Sequence, residues 1–410
     1  MDYRDFINQF DRPFSVDQVD RPHEQAAQAA EEKPPAIEIV IDAKTGRPRQ
    51  AGATAAEGRY ITEFRERAER SLFAFAKGVL GLNRLTKTLH REVCQRLTRI
   101  PPYRKLFLLP RDHLKTSIVS RAMPIHILLQ PRENNIYRPG IDGASTRILL
   151  SNETATNSEH FLRWIMGRFE TNRLLRALWP HRCWENAHRD SRKWSEKEMM
   201  IPREDDYPEA SIETIGVGGA ITSRHYDVLI KDDLISIAAA NSQLVMQDAI
   251  AWHKASRDLM DDPNKSLEFI IGTRWSAMDL YQDIIDNDPS VEYYCRGAIE
   301  DGEAIFPEMF NLETLLQKQK EHGPALFCLL YMNSTANPEL VDFDMEELRR
   351  FLVNGANITF DEDPRDAAIA AEFNADGKPT PASDLRGVPL NKHTLDMVMG
   401  RGEFLRLRYG

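Results

Sequence analysis

Three short stretches carry residues whose types and spacing suit phosphate chemistry. Residues 106–120, LFLLPRDHLKTSIVS, run from an apolar segment through a polar turn to Lys115 and Thr116 at the start of an expected helix. Backbone N–H groups at a helix N-terminus hold phosphates, because the dipole there is positive. A lysine reaches the β and γ phosphates, and a Ser or Thr hydroxyl holds Mg²⁺. Lys115 and Thr116 supply the last two. The loop has no glycine, however; Leu114 precedes the lysine, where glycine would let the backbone wrap closely around phosphate unless leucine keeps ordinary dihedrals. Taken alone, the stretch also reads as a plain strand followed by a helix.

The second stretch, RHYDVLIKDD (224–233), is an apolar run ending in Asp232 and Asp233. A carboxylate at the tip of a strand beside the loop can hold Mg²⁺, and its neighbour can orient and deprotonate an attacking water. The same acid pair could instead cap the next helix. The third, EFIIGTRWS (268–276), runs into Gly272, Thr273 and Arg274, where a polar residue can sense a γ-phosphate or simply close a turn. Order and spacing favour the nucleotide reading. From Lys115 to Asp232 there are 117 positions and from Asp232 to Thr273 there are 41, room for strands and crossover helices between the three.

The elements that must position these residues follow from hydrophobic period. Residues 63–81 and then LHREVCQRLTRI read as helices, with Phe64, Ala68, Leu72, Phe75, Ala76 and Val79 on one face. Strands are expected at 106–109, 147–150, 226–230 and 267–272, with helices from 115 and over 158–179. Pro124 should end or kink the first of these helices. Short apolar strands separated by helical stretches predict an α/β fold, a mainly parallel sheet between helices. Residues 1–58, with one short strand candidate at 37–41, read as a flexible arm, and 341–410 as a mostly extended tail.

The 410-residue chain is 42% apolar and 28% charged with a net charge of −10, the composition of a soluble globular protein. Its acidity counts against a nucleic-acid coat and restricts any DNA contact to a local surface. One such surface is residues 161–204, with ten Lys/Arg against six Asp/Glu among Trp164, Trp179, Trp184 and Trp194, though a solvated face reads the same way. No apolar run reaches the roughly 20 residues of a membrane span, and the start lacks a secretory signal. Cys94, Cys183, Cys295 and Cys328 are dispersed, which fits free thiols. His181, Cys183 and His188 fall short of a zinc pattern.

Five blocks in order, LHREVCQRL…RKLFLLPRDHLKTS, RILLSNETATNSEHFL, GVGGAITSRHYDVLIKDDLIS, FIIGTRWSAMDLYQDII and AIFPEMF…FCLLYMN, resemble the ATPase domain of the large terminase subunit of tailed bacteriophages, over roughly residues 60–340. That resemblance implies a P-loop NTPase of the ASCE type over 59–340, with a small helical lid or N-terminal subdomain, binding ATP and Mg²⁺ and pumping double-stranded DNA into a procapsid. Terminases commonly tolerate a loop that opens with arginine and lacks the glycine before lysine. By resemblance Arg111, Asp112, His113, Leu114, Lys115, Thr116 and Ser117 form the phosphate loop, with Arg111 close to the γ-phosphate. Thr116 and Asp232 are on the metal, Asp233 stands where many members have the catalytic glutamate, and Gly272, Thr273 and Arg274 are the coupling motif. Arg224 is the candidate for a neighbour's arginine in a homo-oligomeric ring, a pentamer on the portal, and it also reads as a salt-bridged surface residue. His90 marks the expected adenine pocket.

Further implied partners are the portal protein and the small terminase subunit, in the host cell cytoplasm and transiently at the portal. Most family members carry a C-terminal nuclease domain. The acids of the tail, Asp361, Asp363 and Asp366, lack strands to mount them, so nuclease activity is expected to be absent or in a separate chain. Two other readings share the motifs: a nucleotide-binding assembly scaffold without turnover, and another P-loop DNA translocase or helicase.

Overall fold

The computed structural model describes residues 39–41, 48–50, 55–219 and 224–334. Most of the expected arm over 1–58 and the whole tail over 341–410 lie outside the described residues, with Asp361, Asp363 and Asp366 among them. Of the strand candidate at 37–41, Ile39–Ile41 is a strand paired antiparallel with Pro48–Gln50.

A seven-stranded sheet organises the rest. Its strands are β1 (Arg104–Leu108), β2 (Ile148–Asn152), β3 (Glu198–Met199), β4 (Ile212–Gly216), β5 (Val228–Asp232), β6 (Leu267–Gly272) and β7 (Val291–Cys295). They lie in the order β3-β4-β2-β5-β6-β1-β7, and all pairs are parallel except β3 on β4. The protein is therefore α/β with a mostly parallel sheet flanked by helices.

Alternation along the strands builds both faces. Phe107, Phe269 and Ile271 join one apolar cluster with Leu162, Ile165 and Phe169 of the helix Ala155–Thr171. Leu106, Leu108 and Ile270 join another with Trp252 and Ile284 from the helices Gln243–Ala255 and Leu280–Asn287. Burying each such large side chain stabilises by roughly 1.5–3 kcal/mol. The helical residues Leu72, Phe75, Val93 and Leu97 belong to the first cluster, so the N-terminal helices share the core of the sheet. β5 and β6 are also tied by a buried ion pair, Lys231 Nζ to Glu268 Oε1 at 2.6 Å.

Several boundaries differ from expectation, each for a local reason. The helix expected over 63–81 ends at Arg70, because Ser71 turns extended (φ −137°) and its hydroxyl caps Ala74 N; a π-helical turn over Phe75–Val79 follows. The helix expected over 158–179 breaks at Asn172, whose side chain accepts from Leu175 N at 2.9 Å. Pro124 does not end its helix. The residues Ser117–Ala122 wind as a π-helix, and the proline falls in the first turn of the segment Met123–Leu128, where its missing N–H is tolerated. Strands β3, β4 and β7 were not expected at all.

Candidate functional site

The carboxyl ends of β1, β5 and β6 converge on one cleft of about 630 Å³. β1 feeds the loop 109–114, whose Arg111 N–H donates to Leu330 O at 2.8 Å. Asp112 (φ +63°) and Leu114 (φ +60°) are both left-handed. Leucine thus adopts the backbone that glycine would adopt, at a cost on the order of 1–2 kcal/mol. The dihedrals at Leu114 are thus not ordinary, and the cost that glycine would avoid is present. Asp233 (φ +43°) is left-handed as well, so three strained residues meet at one cleft.

After the loop the chain turns into a helix that aims Lys115 at the ends of the neighbouring strands. Lys115 Nζ donates to Thr273 Oγ1 at 2.6 Å and stands 3.8 Å from Asp233 Oδ2. Thr116 Oγ1 donates to Asp232 Oδ1 at 3.3 Å, and Ser120 Oγ, one turn on, donates to Asp232 Oδ2 at 2.6 Å. Asp232 is fully buried at the end of β5. Burial first, and the adjacent Asp233 second, push its carboxyl up to about 7, against the pull of Ser120, Lys115 and Thr116.

The backbone around the acid pair is pinned from both sides. Asn152 Nδ2 donates to Asp232 O at 2.7 Å, Glu153 N to Asp233 O at 3.2 Å, and Asp233 N to Ile271 O at 2.9 Å. Asp233 Oδ1 is buried with no hydrogen-bond partner among the described residues. An acceptor-only atom left so beside a second carboxylate suits a cation or a water carrying protons.

The expected site residues divide plainly. Arg111, Asp112, Leu114, Lys115, Thr116, Ser117, Asp233 and Thr273 line the cleft, and Asp232 lies beneath it against Thr116. His113 does not line it. Its ring is buried, bonded through Nδ1 to Arg111 O at 2.9 Å and stacked on Phe310. His90 is also buried away from the cleft, with Nδ1 accepting from Thr86 N at 2.9 Å and its ring edge-on to Phe306. Burial depresses both imidazoles to about 4, so both are neutral.

Gly272 ends β6 just short of the cleft, and Arg274 is buried beside it, held by Asp279 Oδ2 at 3.0 Å. Arg224 stands before β5, on the amino-end side of the strands and opposite the carboxyl ends that form the cleft, and its guanidinium is taken by Glu213, near the start of β4. Among the described residues no group of three His, Cys, Asp or Glu could hold a metal, so His181, Cys183 and His188 do not gather.

Sequence reasoning missed Ser120, Asn152, Glu153, Asn157 and Arg84, the last four lining the cleft. Ser120 carried a signal, lying four positions after Thr116 on the same helix face. Arg84 carried none, because it arrives from a turn far from the motifs. A second cavity of about 1050 Å³ adjoins through Arg84 and is lined by Leu85, Thr86, Thr88 and Arg91 among others. No protein-family model matches the chain, and no curated protein matches it.

Proposed function

We propose that this protein is a P-loop nucleoside-triphosphate hydrolase, and that its turnover drives double-stranded DNA into a procapsid as a large-terminase motor subunit does. One observation carries the hydrolase reading: Lys115, Thr116, Asp232, Asp233 and Thr273, from three separate segments, converge at the carboxyl ends of three neighbouring strands. Further support is the strand order, in which β6 lies between the loop-bearing β1 and the acid-bearing β5, as in the ASCE arrangement. Ligands of open α/β sheets bind at the carboxyl ends of the strands.

In this reading the first turn after the loop and Lys115 bind the phosphate chain. Thr273 orients the Lys115 ammonium, and Arg111 faces the terminal phosphate. Asp233, with its free Oδ1, orients the attacking water and takes its proton. Asn152 and Ile271 hold the backbone that aims Asp233. Thr116 and Asp232 fit a Mg²⁺ ion, which would neutralise phosphate charge when bound; a carboxyl at about 7 is readily ionised by a nearby cation. The cavity lined by Thr86 and Arg91 is the place for base and sugar.

The translocation step, the partners (DNA, portal protein, small terminase subunit, a separate nuclease chain, further copies in a ring) and the cytoplasmic setting rest on the motif resemblance alone. The test is Mg²⁺-dependent ATP turnover by wild type, Lys115→Ala and Asp233→Ala, with and without linear duplex DNA. Wild type should hydrolyse ATP, and each variant should fall by roughly 10²–10⁴. Stimulation by DNA would favour the motor. Binding of ATP without turnover under every condition would instead leave a nucleotide-binding scaffold, and absence of binding would end the nucleotide reading.

A further inference from the structure

Arg84 faces the same cleft as Lys115 and Asp233 yet comes from the turn between the first helices and Leu89, outside every motif. The turn is built to hold it. Gly81 (φ +70°) reverses the chain after the π-helical segment, and Leu85 is fully buried, anchoring the far side. Lys77 Nζ donates to Asn83 O at 3.1 Å and to Leu85 O at 2.6 Å, the two carbonyls that flank Arg84. The backbone of Arg84 is therefore clamped on both sides while its side chain is exposed. No hydrogen bond or ion pair engages its guanidinium among the described residues.

Two acids of the cleft have other partners. Asp233 lies beside Lys115, and Glu153 Oε1 accepts from Ser236 Oγ at 2.6 Å. An unengaged guanidinium on a fixed turn, at the join of two cavities, has the planar donor fork that matches a phosphate group. Arg224, by contrast, is held by Glu213 on the amino-end side of the strands and cannot serve its own chain's cleft.

We propose that Arg84 is a phosphate-contacting arginine acting within its own chain, bonding the phosphate chain of the nucleotide where it passes from the Lys115 cleft into the adjoining cavity. This rests on the nucleotide reading above. Turnover then needs no arginine from a neighbouring copy at this position, and Lys77 acts through Arg84 as a positioning residue.

The experiment measures ATP and ADP binding, and ATP turnover, for wild type, Arg84→Ala and Arg84→Lys, with thermal melts to show that each is folded. It adds an equimolar mixture of Arg84→Ala and Lys115→Ala. Expected for Arg84→Ala is a loss of roughly 10–100-fold in nucleotide affinity, the scale of a hydrogen bond to a charged group. Arg84→Lys should recover only part, and at ATP well below saturation the mixture should turn over no faster than the sum of its two components. Wild-type binding and turnover by Arg84→Ala would overturn the proposal while leaving the nucleotide reading intact. Activity restored in the mixture would overturn the same-chain assignment, because the arginine would then be reaching across copies. If wild type itself binds neither ATP nor ADP, the underlying nucleotide reading is what fails.

Discussion

Lys115 Nζ donates to Thr273 Oγ1 across 2.6 Å, joining the helix that follows β1 to the end of β6 inside a buried pair. An ammonium with three donors and one strong neutral acceptor keeps capacity for phosphate, and Thr273 sets the direction in which it points. Thr273→Val keeps the shape and removes the acceptor. We expect kcat to fall about tenfold or more with a smaller change in KM, since a misdirected lysine loses most in the transition state. Thr273→Ser should retain most activity. Equal kinetics for Val and wild type would show that the bond does not orient Lys115.

Leu114 gives a backbone prediction independent of catalysis. Its φ of +60° penalises any side chain with a Cβ, and glycine escapes that penalty. Leu114→Ala and Leu114→Gly both lose the packing of a half-buried leucine, so their difference isolates the strain. The glycine variant should be the more stable by about 1 kcal/mol, the reverse of the usual order in a helix. Urea midpoints of the two variants check this; alanine equal to or above glycine would mean the loop relaxes without cost.

Buried neutral histidines make stability depend on pH. His126 bonds Tyr137 Oη through Nδ1 and Ala68 O through Nε2, each at 2.8 Å, and is fully buried. Burial draws it down to about 4, and His253 to about 3. With folded values below the unfolded one of about 6.5, the unfolded chain binds more protons as pH falls. The stabilisation is complete above about pH 6.5 and is lost toward pH 4, at up to about 1.4 kcal/mol per unit for each histidine. Urea midpoints at pH 7.5, 6 and 5 should fall steadily, and His126→Gln should flatten the slope. A midpoint constant from pH 7 to pH 5 would contradict it.

The legible parts of the fold were those where one signal was strong and local. β6 matches its expected span of 267–272, because LEFIIG carries the unbroken apolar run Phe269-Ile270-Ile271 and ends in glycine. β3 is only two residues long, and β4 and β7 escaped notice because IETIG and VEYYC lack an unbroken aliphatic run, β7 being an edge strand that need not be apolar on both sides. Ser71 and Asn172 are ordinary cap residues set inside a continuous apolar period, and the period masked the break. In the site, Lys115, Thr116, Asp232, Asp233 and Thr273 were readable because each ends or follows an apolar strand. Arg84 and Asn152 were not, since only the tertiary fold brings a turn at residue 84 to a strand end at residue 152.

Gly272 explains itself through Tyr281. A Cβ at position 272 would stand 2.1 Å from Tyr281 Cζ and 2.2 Å from its Oη, and that ring is fully buried, so it has nowhere to swing. The helix Leu280–Asn287 thus presses its tyrosine onto the bare backbone one residue before Thr273. Gly272→Ala should destabilise by about 1–3 kcal/mol through overpacking. It should also cut ATP turnover, because pushing the strand end moves the hydroxyl that holds Lys115. Tyr281→Leu alone is destabilising through lost packing, but in its background the alanine should cost less, giving a coupling of about 1 kcal/mol or more in a double-mutant cycle. Strict additivity of the two costs would show that something other than Tyr281 demands glycine there. Coupling in stability with no matching recovery of turnover would separate the packing role of Gly272 from any part it has in placing Thr273.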